Sequence, residues 1–355
     1  MRTRILSRTA TALLLAASVA AIDADQQPPR YAESVDVASV LIDVRALDEK
    51  GSALVGLGPS DFSVKIAGRI ARVQSSAWIG GSPVPVSEAV SMPAPGDGAV
   101  ANPGRLIVFL FQRSLANYHA RGLIRTVEQS RELVRGLGPS DRVAILTFDT
   151  SLKIWTDFTR DEAALDRILQ HGLLFEKPPR VYASPAPSLV DRLDPQTARR
   201  THTIERAFEL IARALDPLPG AKTIAFFGHG MGQMGRRGTG SGDMSAAPGY
   251  DTARRALTAA RATVFSLDFT DADRHSLEYG LQRIAEETGG FYGHSLDFPE
   301  RPMRWLAGAL SGYYVLFVEK PDHSIGEGEI SVTLARRAGH VFATSTYSSP
   351  QASIR

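Results

Sequence analysis

Ser114, Asp149 and His229 are the residues whose types could together do covalent chemistry. A hydroxyl, an imidazole and a carboxylate form a hydrolytic relay when the imidazole takes the hydroxyl proton and the carboxylate orients the imidazole. Each of the three follows an apolar run, which would bring them to one end of a sheet. The relay also needs oxyanion donors and a held nucleophile. No G-x-S-x-G elbow is present, and the serine in Gly238-Thr-Gly-Ser-Gly242 lies in a tract too glycine-rich to hold a strained nucleophile.

Three further patterns invite chemistry. Gly230-Met-Gly-Gln-Met-Gly235 fits G-x-G-x-x-G and follows a strand-like run. A dinucleotide site also needs a helix opening at the last glycine, and Arg236-Arg-Gly-Thr-Gly-Ser-Gly-Asp243 does not start one readily. The expectation is a glycine-rich loop that lids or contacts a crevice. Asp268, Asp271 and Asp273 are spaced acids, but the glycine and terminal glutamate of an EF-type calcium loop are missing. They are expected to cap a helix running to Glu287. His202, His229, His275 and His294 are scattered, with no H-E-x-x-H zinc motif. The chain has no cysteine, which excludes disulfides, thiolate catalysis and cysteine-ligated metal.

The elements that must position these residues fall into three regions. Residues 35–80 alternate apolar and polar, with turns at Asp48-Glu-Lys-Gly51 and Ala67-Gly68, and read as an N-terminal β region. Residues 81–104 are rich in Gly, Pro, Ser and Ala and read as a linker or long surface loop. Residues 105–310 alternate strand and helix. Strands are expected at 105–111, 142–148, 152–156, 222–227, 262–267 and 290–293, and helices at 118–136, 160–171, 201–215, 249–261, 275–288 and 300–309. Ile204, Phe208, Ile211 and Leu215 give helix 201–215 one apolar face. Ile107 to Phe111 and Ile224 to Phe227 are apolar without alternation, as strands covered on both faces are. The predicted class is α/β, a doubly wound, mainly parallel sheet with helices on both faces. The short connection at 149–151 makes 152–156 a hairpin edge strand. Residues 311–347 return to β and are expected to pack with 35–80 as a small β-sandwich around the inserted α/β region. The Pro-rich insertion at 175–194 reads as a semi-rigid loop, with a polyproline surface element as the alternative.

The first 21 residues read as a signal peptide. Arg2, Arg4 and Arg8 precede a short apolar run and small-x-small cleavage positions at Ala20 and Ala21. Cleavage removes three arginines and no acid, which takes the formal charge from +2 to −1. A near-neutral mature chain gives no reason to expect nucleic acid as a partner. No later run is long enough to insert in a membrane. The expected location is exported, periplasmic or secreted.

The order of these segments resembles the von Willebrand factor A family. Arg105 to Asn117 resembles its first strand and metal loop, Asp141 to Asp149 its second strand, and Ala221 to Gly230 its fourth. Ile284-Ala-Glu-Glu-Thr-Gly-Gly-Phe-Tyr292 is similar to its LA-x-x-TGG-x-aromatic element. Leu41 to Phe62 and the Tyr313-Tyr-Val-Leu316 strand further resemble exported proteins of this kind from Acidobacteria. The resemblance implies a sheet whose top holds Mg²⁺ or Mn²⁺ through two aspartates, two serines and a threonine, for binding a partner's carboxylate. The aspartates fall on Gln112 and His229 and the serines on Ser114 and Ala116. The threonine falls on Thr201 or Thr203. With both carboxylates replaced, the adhesion site is degenerate, and no metal or other cofactor is expected. The implied role is non-catalytic binding of a protein or cell-envelope component. The contact loops are 112–117, 149–151, 175–200 and 228–248, and the partner-facing residues Arg113, Ser114, Asn117, Asp149, His229 and Met231. Arg113 would meet the partner's carboxylate directly. Two alternatives stand beside this reading. One is a metal-dependent A domain using Ser114, a threonine and Asp149. The other is a small envelope hydrolase of the Ser114/His229 region.

Overall fold

A computed structural model describes residues 39–80, 104–114, 117–185, 187–234, 244–245, 248–271, 275–295, 299–320 and 328–347. The signal sequence, most of the 81–104 segment, Ala116, Asp273 and most of the glycine-rich loop lie outside them. The N-terminal β region supplies β1 (Ser39–Leu47), β2 (Phe62–Ile66), β3 (Arg69–Ala71) and β4 (Val73–Gly80). The α/β region then runs β5 (Leu106–Gln112), α1 (Asn117–Arg135), β6 (Arg142–Phe148) and β7 (Leu152–Thr159). Next come α2 (Glu162–Arg167), a π turn at Ile168–Gly172, α3 (Leu173–Phe175), α4 (Pro195–Arg199) and α5 (Ile204–Leu215). β8 (Lys222–Gly228), a short hairpin of β9 (Gln233–Met234) and β10 (Met244–Ser245), α6 (Tyr250–Ala259) and β11 (Ala262–Asp268) follow. The region closes with α7 (Glu278–Glu287), β12 (Tyr292–His294) and α8 (Glu300–Ser311). The chain returns to β as β13 (Gly312–Glu319), β14 (Gly328–Leu334), β15 (His340–Ala343) and β16 (Thr346–Tyr347).

The central sheet has the order β12-β11-β8-β5-β6-β7. Five strands are parallel, and β7 alone runs antiparallel, at the edge. β5 and β8 are buried along their whole length, because helices cover both faces and their apolar runs have no polar side to show. On α5, Ile204, Phe208, Ile211 and Leu215 are at most 5% exposed. Burial of each stabilises the fold by about 1.5–3 kcal/mol. The helix begins at Ile204 rather than 201, because the Thr203 hydroxyl accepts from the Arg206 N–H and caps it there. β7 runs on to Thr159, beyond the expected 156, and the last strand of the sheet starts at Tyr292 rather than 290.

The flanking strands form two four-stranded sheets, β15-β1-β13-β4 and β16-β14-β2-β3. Val44, Phe62, Val64, Tyr314, Leu316 and Ile330 belong to one apolar cluster drawn from both. The chain ends therefore meet through β1 and β13, which pair antiparallel from Ser39↔Glu319 to Val44↔Tyr314.

These sheets join the α/β region at the amino ends of its strands. Arg45 of β1 is 2% exposed. Its guanidinium donates to Thr263 Oγ1 at 2.9 Å and Thr223 Oγ1 at 3.0 Å, and it lies 5.2 Å from the ring centre of Phe265 and 5.4 Å from that of Tyr313. Burial lowers its pKa to about 10, so it remains charged at neutral pH. Arg261 forks onto Asp43 with bonds of 3.0 and 2.6 Å. Arg105 pairs with buried Asp141 and donates to the Leu310 carbonyl. No helix among the described residues is long and apolar enough to cross a membrane.

Candidate functional site

The carboxyl ends of the parallel strands form the top of the sheet, where ligands of such folds bind. At the end of β5, the Gln112 amide oxygen accepts the His229 backbone N–H at 3.0 Å. A Cβ on Gly228 would come within 3.0 Å of that oxygen and 2.6 Å of the Phe226 ring. Glycine there leaves the amide its place. The His229 ring stacks on His119 of α1, with centroids 4.1 Å apart and planes 16° from parallel. Phe269 packs edge-on at 5.9 Å from His229. Burial, then the neighbouring His119, pushes the His229 pKa down to about 4. Burial also lowers that of His119. Both rings are neutral at pH 7.

Asp149 turns to its own hairpin. It accepts from the Thr150 N–H and pairs with Lys153. Burial alone would raise its pKa, but the bonds from Lys153 and Thr150 outweigh it and hold the carboxyl below its ordinary range. His202 Nδ1 donates to the Thr150 carbonyl at 3.1 Å and ties the loop before α5 to this hairpin. Thr201 Oγ1 donates to the Thr197 carbonyl at 2.8 Å, and Thr203 caps α5. Both threonine hydroxyls are therefore used locally.

A second polar group sits beside β11. Asp268 is fully buried and accepts from His275 Nε2 at 2.6 Å, the Tyr292 hydroxyl at 3.0 Å and the Thr270 N–H at 2.9 Å. The expected capping role of Asp268 is thus corrected. It ends a strand and holds the loop after it, while α7 starts at Glu278 behind Leu277 with no side-chain cap. Glu205, also buried, accepts the Gly232 N–H at 3.0 Å and has its pKa raised by burial.

The antiparallel edge strand β7 is the hairpin strand that the short 149–151 connection implied. The mainly parallel sheet of the α/β region, with helices on both faces, is the class of fold that the sequence resemblance implied. No family model and no curated protein matches the chain. Among solved structures, it is similar to a von Willebrand factor type A protein from Catenulispora acidiphila, at 11% identity and TM-score 0.41, over 83% of this chain and 74% of that one. It is also similar to the conserved hypothetical protein BatB from Bacteroides thetaiotaomicron, at 16% identity and TM-score 0.38, over 59% of this chain and 98% of that one. Proximal thread matrix protein 1 from the mussel byssus aligns at 14% identity and TM-score 0.36, over 58% of this chain and 48% of that one.

The groups at the A-domain metal positions do not converge as a hard-oxygen ligand set. Gln112 faces a backbone N–H, His229 is stacked and neutral, and Asp149 is paired with Lys153. Among the described residues no group of three or more His, Asp or Glu is placed to hold a metal ion. Ser114 is half-buried in the loop after β5. Asn117 opens α1, and Ala116 lies outside the described residues. Arg113 is held by its backbone, whose N–H donates to the Phe148 carbonyl at 2.7 Å. Its guanidinium has no ion-pair or hydrogen-bond partner among the described residues. Met231 does not present itself to a partner. It is 1% exposed and belongs to the core beneath the loop, against Gly280. Gly230 packs on Leu277, and the next α-helix after it is α6, at Tyr250, so no helix opens where a dinucleotide site needs one.

His119 and Tyr292 were not singled out by sequence reasoning, and Asp268 and His275, both noted there, were not joined. Their only signals were a histidine in the first turn after a candidate metal loop, and an acid ending a mostly apolar strand run.

Proposed function

We propose that this chain is an exported, non-catalytic binding module that recognises a protein or cell-envelope partner at the top of its sheet without a metal ion. The observation that carries the reading is the Gln112–His229 bond. It ties the ends of β5 and β8 directly, where the family resemblance calls for a cation between two carboxylates. Arg113 stands next to this bond, its guanidinium unpaired among the described residues and suited to a bidentate pair with a partner's carboxylate. Export rests on the first 21 residues, which lie outside the described ones. Non-catalysis is supported by the placement of Asp149, which faces Lys153 instead of a relay with His229.

The test is the melting temperature of the mature protein in EDTA and in millimolar Mg²⁺, Mn²⁺ or Ca²⁺, followed by envelope pull-down. A cation at a hundredfold excess over its dissociation constant stabilises by about 2.7 kcal/mol. The expected result is no metal-dependent rise, with capture of a partner that is lost in Arg113→Ala. A clear rise would return the protein to the metal-dependent class. Ester turnover that disappears in Ser114→Ala would make it a hydrolase.

A further inference from the structure

The opposite corner of the central sheet carries a second surface. A cavity of about 470 Å³ opens between the outer edge of β7 and the Pro-rich segment after α3. One wall is formed by consecutive residues from Trp155 to Arg160, and the other by residues 179–182 with Ser184 and Pro185. Pairings Phe148↔Leu152 and Val143↔Thr159 put it at the end of β7 away from the top crevice. We propose that this groove binds an extended, acidic peptide segment of a partner protein.

Charge is the first reason. Arg142, Arg160 and Arg180 all line the cavity. Arg142 has a buried Nε with no hydrogen-bond partner among the described residues, and its Nη1 donates at the long distance of 3.5 Å to the Pro185 carbonyl. Arg160 is exposed and makes no ion pair among the described residues. Arg180 is exposed and lies over the Tyr182 ring at 5.5 Å, with no ion pair among the described residues. The only acid in the lining is Asp157, which is 4% exposed and turned inward. Three guanidiniums that make no ion pair among the described residues, against one carboxylate already turned inward onto four donors, concentrate a positive field on the groove. Planar guanidiniums match carboxylates bidentately.

Shape is the second. Asp157 accepts from the N–H groups of Phe158, Ser184 and Leu189 and from the Ser188 hydroxyl, at 2.6 to 2.9 Å. These bonds pin the far end of the Pro-rich segment to β7, so the groove is formed before anything enters it. Among the described residues no backbone bond joins 177–185 to β7. β7 is the edge strand of its sheet, and an edge offers its outer backbone groups to an added strand. The five strand residues Trp155–Thr159 span about 17 Å at roughly 3.3 Å each, the length of an extended pentapeptide. Tyr182, 73% exposed, supplies an aromatic face at the rim.

Binding is tested with the full mature chain and three fluorescent probes. These are a capped (Glu-Val)₃ peptide, its (Lys-Val)₃ counterpart and inorganic polyphosphate. The expected result is saturable anisotropy with the Glu peptide and none with the Lys peptide. Affinity should fall at least tenfold in the Arg160→Gln/Arg180→Gln double variant and be unchanged in Arg113→Ala. Both glutamine substitutions are at exposed positions, and an unaltered melting temperature verifies folding. Absence of Glu-peptide binding, or binding indifferent to the double variant, overturns the proposal. So does polyphosphate that binds more tightly through the same arginines, which would make the groove a general polyanion site. A loss of binding in Arg113→Ala would place the peptide at the top crevice instead.

Discussion

The two ends of the central parallel sheet solve the same problem with different chemistry. At the amino ends, where the flanking β-sheets dock, the polar groups are ions: Arg45 on two threonines, Arg261 on Asp43, and Arg105 on Asp141. Lys222 sits there too, its pKa lowered to about 8 by burial, donating to the Ala260 carbonyl. At the carboxyl ends the groups that bridge strands β5 and β8 are neutral: an amide on a backbone N–H, and two stacked imidazoles. The difference teaches where charge can be tolerated. An ion buried between layers is held by fixed partners on both sides. At the ends of β5 and β8 a neutral amide and neutral rings fill the same kind of place without needing a counter-ion.

The largest effect that would break this contrast is at the amino ends. Arg105→Ala leaves Asp141, 5% exposed, without its cation. Loss of one partner from a buried pair should cost about 3–5 kcal/mol, read as a lowered urea midpoint. A change below 1 kcal/mol would mean that this end is not ionically locked.

The next effect concerns the neutral end and pH. The His229 pKa falls from an ordinary 6.5 to about 4 in the folded state. Above pH 6.5 the ring is neutral folded and unfolded, and the native state keeps its full stability. Between pH 6.5 and 4 only the unfolded chain takes up the proton, so stability falls, by about 3 kcal/mol across the window. His119 is shifted the same way and adds to the slope. Urea denaturation from pH 7.5 to 4 should show this slope in the wild type and a shallower one in His229→Gln. Identical slopes would show that His229 titrates normally.

Gln112→Ala should cost about 1–3 kcal/mol, because it leaves the His229 N–H without its acceptor. A neutral outcome in thermal denaturation would remove the amide as the tie between β5 and β8. The smallest effect is at Arg113. Arg113→Ala should change stability by less than about 0.5 kcal/mol, as for a surface side chain without partners, while abolishing partner capture. A large stability loss would show the guanidinium to be structural.

Much of the scaffold was readable along the chain. The apolar runs 106–111 and 224–227 became doubly covered strands, and the i, i+4, i+7, i+11 face of α5 became core. The hairpin after Asp149 followed from a connection too short for a helix. The site was less readable. Gln112 and His229 were recognised as replacements for carboxylates, but nothing in either neighbourhood says that the amide of one accepts from the backbone of the other, 117 residues away. Met231 was misjudged because glycines on both sides suggest an open loop. Its own apolar side chain instead folds under that loop onto α7. The acids after β11 were read as caps because a spaced Asp run before a helix normally caps it. Burial made Asp268 a receptor for His275 and Tyr292 instead.

Periodicity and turn chemistry are properties of neighbouring residues, and they sufficed for the six strands of the parallel sheet with its antiparallel edge and for the long helices between them, but not for α4, the β9–β10 hairpin or the π turn that breaks helix 160–171. Hydrogen-bond partnership and protonation depend on which groups are left together once water is excluded. That depends on distances across the sheet rather than along the chain. Tertiary structure alone therefore decided that the ends of β5 and β8 are bridged by neutral groups, that Arg45 joins two layers, and that Arg142, Arg160 and Arg180 line one groove at the edge of β7.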